Sequence, residues 1–335
     1  MNSLPDRKGK QIAYSILGRG RPLVCDTGFV SHLEVQWTYP PYRRFFEALA
    51  RFHLVIRFDL PGIGLGDPTG TVIEFEEDVA VLEDLIDGLA LESVDLFGAS
   101  QAAAVMIAYA ARHPERVGKL ILYGGYADGA ALSPPELQAS LVQLVRAHWG
   151  LASSTLAEVF IAGGDDEDRR VFASTARAAA TPEAAQRRMA ECFRTDVRHL
   201  VGKVKAPTLV LHRRGDHNVR IELGQALANG IPGAKFVELD GRSHVWYVGD
   251  MESVLNPILA FLGDRHRVRS ASRDLSRRER EVAAIVAQGL TNAEIARQLG
   301  VTERTAESHV EHIRNKLGFT SRAQIAAWAV QHLKS

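Results

Sequence analysis

Cysteine is nearly absent: Cys25 and Cys192 are the only two in 335 residues, and they show no metal-ligand spacing. That excludes a disulfide scaffold or a cysteine-built metal site and points to reduced thiols in a cytoplasmic protein. No apolar run approaches the ~20 residues that a membrane helix needs. The opening Met-Asn-Ser-Leu-Pro-Asp-Arg-Lys lacks the apolar core of a signal peptide, so no membrane partner is expected. An excess of either charge is also missing, with 40 Lys and Arg against 40 Asp and Glu. No metal and no cofactor is expected. What remains is an ordinary globular composition, 46% hydrophobic and 24% charged, in a chain long enough for two domains.

The zero net charge hides a division. From Asp264 onward there are 13 Lys and Arg against 8 Asp and Glu, while the residues before it hold 27 against 32. A basic module joined to an acidic one suggests a small nucleic-acid-binding unit. The stretch "GDRHRVRSASRD" (263–274) is poor in apolar residues and reads as a linker over 264–274, dividing a unit over 1–263 from one over 275–335.

Before the linker, apolar β-rich runs alternate with helical stretches: 22–28, 53–59, 93–98, 119–125, 207–212 and 234–240. Near-continuous apolar strands separated by helices predict a mostly parallel sheet covered on both faces. Between about 133 and 200 the alternation gives way to Ala-, Arg- and Glu-rich helical segments, which predict a helical cap over the ligand-binding edge of the sheet.

Ser100 stands in "LFGASQAA" (96–103), after an apolar strand and before an alanine-rich helix. A serine between small residues at such a turn is how many hydrolases present a nucleophile. A nucleophile needs a base, and the base an orienting acid. "LVLHRRGDHNV" places Asp216 just past one strand, and "FVELDGRSHVWYV" places His244 after the next. The order Ser, Asp, His is the one used by the α/β-hydrolase fold. The amides of Phe29, in "VCDTGFVSH", and Gln101 are the expected oxyanion donors. Phe29, Trp37, Trp149, Phe160 and Trp246 are the expected pocket aromatics, and they suit a small, moderately apolar ligand.

Over roughly 8–263 the chain resembles the α/β-hydrolase superfamily. "TGFVSHLE", "DLPGIGLGD", "GASQAA", "HPERV" and "RSHVWYVGD" are closest to hydrolase-like sensor modules fused to bacterial signalling proteins. The resemblance implies Ser100 as nucleophile, His244 as base and Asp216 as acid, with Asp128 the alternative acid. Ala102 stands where the family's Gly-x-Ser-x-Gly pattern ends in glycine.

The C-terminal module carries repeated helix-start signals. "SRRE" (276–279), "TNAE" (291–294) and "SRAQ" (321–324) match the capping box, and Thr302 is a further cap. Apolar residues at helical spacing predict four short helices, the second and third joined by a tight turn at Gly300. "LSRREREVAAIVAQGLTNAEIARQLGVTERTAESHVEHIRNKLGFTSRAQIAAWA" resembles the LuxR-type helix-turn-helix almost without gaps. The resemblance implies a recognition helix over about 303–317 in the major groove of double-stranded DNA. Arg304, Thr305, Arg314, Lys316 and Arg322 are then the phosphate candidates, and Glu307, Ser308, Glu311 and His312 the base-edge candidates. Glu307 and Glu311 stand where many members carry lysine. One recognition helix reads few base pairs, so a homodimer on paired half-sites is expected.

The expected architecture is thus an α/β-hydrolase fold with a helical cap, followed by a small all-α four-helix LuxR-type domain. Two functions follow: a ligand-responsive transcription regulator, or an active serine hydrolase with an accessory DNA-binding tail.

Overall fold

A computed structural model describes residues 2–68, 74–263, 275, 277–317, 319 and 321–333; the side chains of 277, 315, 316, 331 and 332 fall outside that set. The chain divides into two compact units, Met1–Leu262 and Gly263–Ser335. Residues 264–274, the expected linker, lie outside the described residues, as does Ser276 of the first expected capping box.

The first unit is built on one eight-stranded sheet: β1 (Asn2–Pro5), β2 (Gln11–Gly18), β3 (Arg21–Asp26), β4 (His53–Asp59), β5 (Val94–Ala99), β6 (Val117–Tyr123), β7 (Thr208–Arg213) and β8 (Lys235–Leu239). Their spatial order is β1-β2-β4-β3-β5-β6-β7-β8. β3 through β8 pair in parallel, whereas β2 runs antiparallel to both β1 and β4. The six parallel strands are the six apolar runs read from the sequence. β5 and β7 are buried at every position, as a strand covered on both faces requires. The antiparallel pair was not expected. β2 is buried only at Ile12 and Ala13 and is half-buried or exposed along the rest of its length, unlike the fully buried β5 and β7.

Helices α1 (Leu33–Thr38), α2 (Pro40–Ala50), α3 (Phe75–Gly88) and α4 (Ala102–Arg112) follow β3, β4 and β5. α4 is buried from Ala102 to Ala110 and runs beneath the apolar sheet face. Between β6 and β7 the chain makes α5 (Pro135–Ala147), α6 (Trp149–Phe160), α7 (Asp166–Ala179), α8 (Pro182–Arg194) and the short α9 (Arg198–Val201). Thr181 caps α8 ahead of a proline at its first position, and Asp165 with Asp168 forms a capping box on α7. α10 (Ile221–Gly230) and α11 (Met251–Leu262) complete the unit.

A buried ion pair fastens α8 to α3. Arg188 and Asp78 are 1% and 4% exposed, and the guanidinium donates to both carboxylate oxygens. Burial raises the Asp78 carboxyl above its ordinary value, and Arg188 offsets only part of that rise. Two charges this deep hold only as a pair, so the segment α5–α9 is anchored at a point that tolerates no unilateral change.

The second unit contains α12 (Arg277–Ala287), α13 (Asn292–Leu299), α14 (Glu303–Leu317) and α15 (Arg322–His332). Thr291 and Ser321 each form a complete capping box, and Thr302 accepts from the amide of Thr305 at 3.2 Å. Val282, Ile285, Val286, Ile295, Ile313, Ile325 and Ala329 make one core. Gly300, at φ 65°, turns α13 into α14. Among the described residues, no helix is long and apolar enough to cross a membrane, and no cluster of three or more His, Cys, Asp or Glu is arranged for a metal. Cys25 and Cys192 are buried and unpaired.

Candidate functional site

Ser100 sits at the turn between β5 and α4 with φ 55°, a left-handed conformation that a side chain adopts only under constraint. Its amide donates to Tyr123 O (2.9 Å) and its carbonyl accepts from Ala103 (3.1 Å), so both flanking elements fix the turn. The loop after β3 comes close by: a Cβ at Gly28 would lie 2.7 Å from Ala99 O and 3.3 Å from the Ser100 Cβ. Asp26, buried at the end of β3, accepts from the Gly28 amide at 3.0 Å. Burial pushes its carboxyl up to about 7.

The structure brings His244 and Asp216 together. His244 Nδ1 lies 2.7 Å from Asp216 Oδ2, and the other carboxylate oxygen accepts from the amides of Asn218 (2.8 Å) and Val219 (3.0 Å). Burial raises the Asp216 carboxyl, but His244, His212 and the Val219 amide outweigh it and hold it below its ordinary value. An ionised Asp216 accepts from a protonated Nδ1 of His244. Among the described residues His244 Nε2 is buried with no hydrogen-bond partner, and His244 and Ser100 line the same cavity. Gly124, at φ 56°, makes room for the pair; a Cβ there would lie 3.1 Å from His244 Cε1.

The loop carrying His244 is tied to α6. Phe160 O accepts from the His244 amide (2.7 Å) and the Ser243 hydroxyl (3.2 Å), and the Phe160 ring meets the imidazole edge-on at 5.1 Å. α6 and α7 therefore wall the cavity directly above Ser100. The residues that bound the cavity include Phe29, Val30, Phe160, Phe172, Thr175 and Trp246.

Three of the expected aromatics, Phe29, Phe160 and Trp246, line this cavity. Trp37 and Trp149 do not, and both expectations are corrected. Trp37 covers the Arg57 guanidinium at 4.3 Å, a cation–π contact beside β2. Trp149 donates to Ala180 O (3.0 Å) and packs where α6 meets the end of α7. Asp128 is also not beside His244; it caps the turn at Ala130 and pairs with Arg198 at 3.0 Å. The amides of Phe29 and Gln101 donate no hydrogen bond to the protein among the described residues. The Gln101 side chain accepts from Cys192 Sγ of α8 at 3.1 Å. Phe172, Thr175 and Ala176 were not anticipated. They recur at i, i+3 and i+4 on α7, and that one-faced pattern was the available signal.

On α14, Arg304, Thr305, Glu307, Ser308, Glu311 and His312 are exposed, whereas Ala306 and Ile313 face the core. The Thr305 hydroxyl bonds that of Thr302 at 2.7 Å, and Arg314 lies 3.8 Å from Glu311. The Lys316 side chain is outside the described residues. Arg322 departs from expectation: its guanidinium donates to Asn292 Oδ1 (2.8 Å) and to Leu290 O, tying α15 to the start of α13. Those donors are spent within the fold rather than offered to a phosphate.

The sequence model of the alpha/beta hydrolase fold family matches residues 21–248. The chain belongs to that family. The model of the luxR family of bacterial regulatory proteins matches 273–329, so the C-terminal unit is a LuxR-type DNA-binding domain. Similar curated proteins divide in the same way. Pyrrolizixenacetamide deacetylase of Xenorhabdus hominickii is 24% identical over 75% of this chain and 94% of its own length. A 2-hydroxy-6-oxononadienedioate/2-hydroxy-6-oxononatrienedioate hydrolase of Cupriavidus pinatubonensis is 28% identical over 64% of this chain and 78% of its own. The nitrate/nitrite response regulator NarL of Escherichia coli is 36% identical over 24% of this chain and 38% of its own. Among solved structures, the enol-lactonase of Burkholderia xenovorans superposes with a TM-score of 0.67 at 21% identity, covering 78% of this chain and all of that one. At that identity the likeness speaks for the fold.

Proposed function

We propose that this protein is a ligand-responsive transcription regulator. Its α/β-hydrolase unit binds a small, moderately apolar ester, lactone or related acyl compound, and its LuxR-type domain binds double-stranded DNA as a homodimer. The observation that carries the reading is the joint presence, in one chain, of a LuxR-type helix with its polar face exposed and a walled aromatic cavity that holds Ser100 and His244.

In this reading Ser100 is the nucleophile, His244 its base and Asp216 the carboxylate that orients and charges the imidazole. Ser100 Oγ gives its proton to His244 Nε2 as it bonds to the acyl carbon. The amides of Phe29 and Gln101 stabilise the oxyanion, and His244 returns the proton to the leaving oxygen. Turnover is slow, and occupancy of the cavity is what the DNA-binding unit answers to. On α14, Arg304 and Arg314 face phosphates, while Glu307, Ser308, Glu311 and His312 face base edges, where a carboxylate accepts from cytosine N4.

The alternative reading, a serine hydrolase with an accessory DNA-binding tail, is favoured by the 2.7 Å contact between His244 and Asp216. Purified protein should cleave a short activated ester, and Ser100→Ala should reduce that rate to a small residue left by the oxyanion donors. Equal rates in parent and variant would remove catalysis from the account and leave binding in place.

A further inference from the structure

Hydrolysis converts an uncharged ester or lactone into a carboxylate, so charge is what separates the two sides of the reaction proposed above. The cavity wall is unequal toward that difference. Among the described residues that line it there is no lysine or arginine. Its polar side chains Thr27, Gln36 and Thr175 are neutral, and burial raises the Tyr247 phenol and keeps it protonated. His244 is the remaining titratable group of the wall, and directly behind it stands the buried carboxylate of Asp216. A further buried carboxyl, Asp26, holds the Gly28 amide on the loop that leads to Phe29. The buried guanidinium of Arg188 is already paired with Asp78.

We infer that the cavity admits an uncharged acyl compound and rejects the carboxylate made from it, so that turnover at Ser100 ends the signal instead of generating it. This rests on the reading of the cavity as the ligand site. The chemistry balances as follows. Ser100 Oγ bonds to the acyl carbon while the C–O bond of the ester or lactone breaks, and the alkoxide oxygen leaves with the proton held by His244. Water then bonds to the acyl carbon as His244 takes its proton, the bond from that carbon to Ser100 Oγ breaks, His244 returns the proton to Ser100 Oγ, and the acid formed loses its own to solvent. During each attack the negative oxyanion is balanced by a positive His244. Once the product is formed that proton is back on Ser100 Oγ, and the product carboxylate has given up its hydration for a wall with no lysine or arginine among its described residues to pair with. Two amides at Phe29 and Gln101 offer dipoles, not a counter-charge. The product leaves, and the slow hydrolytic rate sets how long the signalling state lasts.

The test uses the full chain carrying Ser100→Ala, which binds without turnover. Three probes of one skeleton are titrated at pH 7.5 by calorimetry: dihydrocoumarin, its ring-opened acid 3-(2-hydroxyphenyl)propanoate, and the methyl ester of that acid. The lactone and the methyl ester should bind with similar affinity, and the acid about a hundred-fold more weakly. An acid weaker than the lactone by less than about tenfold overturns the inference and leaves the cavity as a ligand site. A methyl ester as weak as the acid makes shape the discriminator and also overturns it. Binding by none of the three overturns both the inference and the reading it rests on.

Discussion

Replacing Arg188 with methionine removes the cation from a carboxylate that has no other route to charge compensation. Asp78 is 4% exposed, and the guanidinium is its partner across the α3–α8 contact. Left alone, Asp78 escapes the cost of an isolated buried charge by taking up a proton. Holding a proton at pH 7 on a carboxyl that would lose it near 3.9 in the unfolded chain costs about 1.36 kcal/mol per pH unit across roughly three units. The expected destabilisation is therefore about 4 kcal/mol, inside the range of roughly 3–5 kcal/mol found when one partner of a buried pair is removed. The sign of the pH dependence follows. In the variant the native state binds the extra proton above the unfolded value, so stability falls as pH rises. The deficit against the parent protein should shrink on acidification and be nearly gone by about pH 4. Asp78→Leu combined with Arg188→Met removes both charges and should come back to within about 1 kcal/mol of the parent. Urea unfolding followed by tryptophan fluorescence in a Trp328→Phe background, which leaves Trp37, Trp149 and Trp246 of the N-terminal unit, reads the relevant transition. A deficit that stays constant from pH 7 to 4, or a double variant as unstable as the single one, would refute the reasoning.

Three further substitutions probe the catalytic and DNA-binding residues and the fold of the C-terminal unit. Gly124→Ala places a Cβ 3.1 Å from the His244 ring at φ 56°, so it should lower ester cleavage tenfold or more by displacing the imidazole. Its cost in stability should be about 1 kcal/mol, and kcat/KM set beside a melting curve separates the two effects. Arg304→Ala should weaken binding to every DNA sequence and reduce the slope of log affinity against log salt by about one. Arg322→Ala should instead lower the stability of the C-terminal unit by about 1–3 kcal/mol, because its donors serve Asn292 and Leu290; salt titrations and thermal melts of both variants distinguish them.

Much of this architecture is written in local patterns. The six parallel strands are legible because a strand covered on both faces is apolar at nearly every position, as in β5 and β7. Ser100 and Asp216 stand after two such strands, β5 and β7, whereas His244 follows β8, which is exposed or half-buried at four of its five positions. The second unit is legible to the level of single hydrogen bonds, since Thr291 and Ser321 announce their capping boxes four residues at a time. Pairings that are remote in sequence are not legible in this way. Asp78 and Arg188 are 110 residues apart, and nothing near either one marks a buried pair. An aromatic residue does not announce which side of a helix will face a cavity, so Trp37 and Trp149 look like Phe160 until the helices are placed. Arg322 reads as a free cation until α15 packs against α12 and brings the guanidinium to Leu290 O and Asn292 Oδ1.

The central claim is that occupancy of the cavity changes how the chain binds DNA. A ligand can do this only by binding two arrangements of the protein unequally, and the reciprocal coupling is typically about 1–3 kcal/mol. The direct measurement caps Ser100 covalently with phenylmethylsulfonyl fluoride, a reagent that carries an aromatic group. Affinity is then titrated for DNA fragments selected by the full-length chain. DNA affinity should change by about fivefold or more after full modification, and not at all when the same reagent is applied to Ser100→Ala. An unchanged affinity in the fully modified protein would contradict that claim, and the serine would then belong to an enzyme whose chemistry the DNA-binding unit ignores.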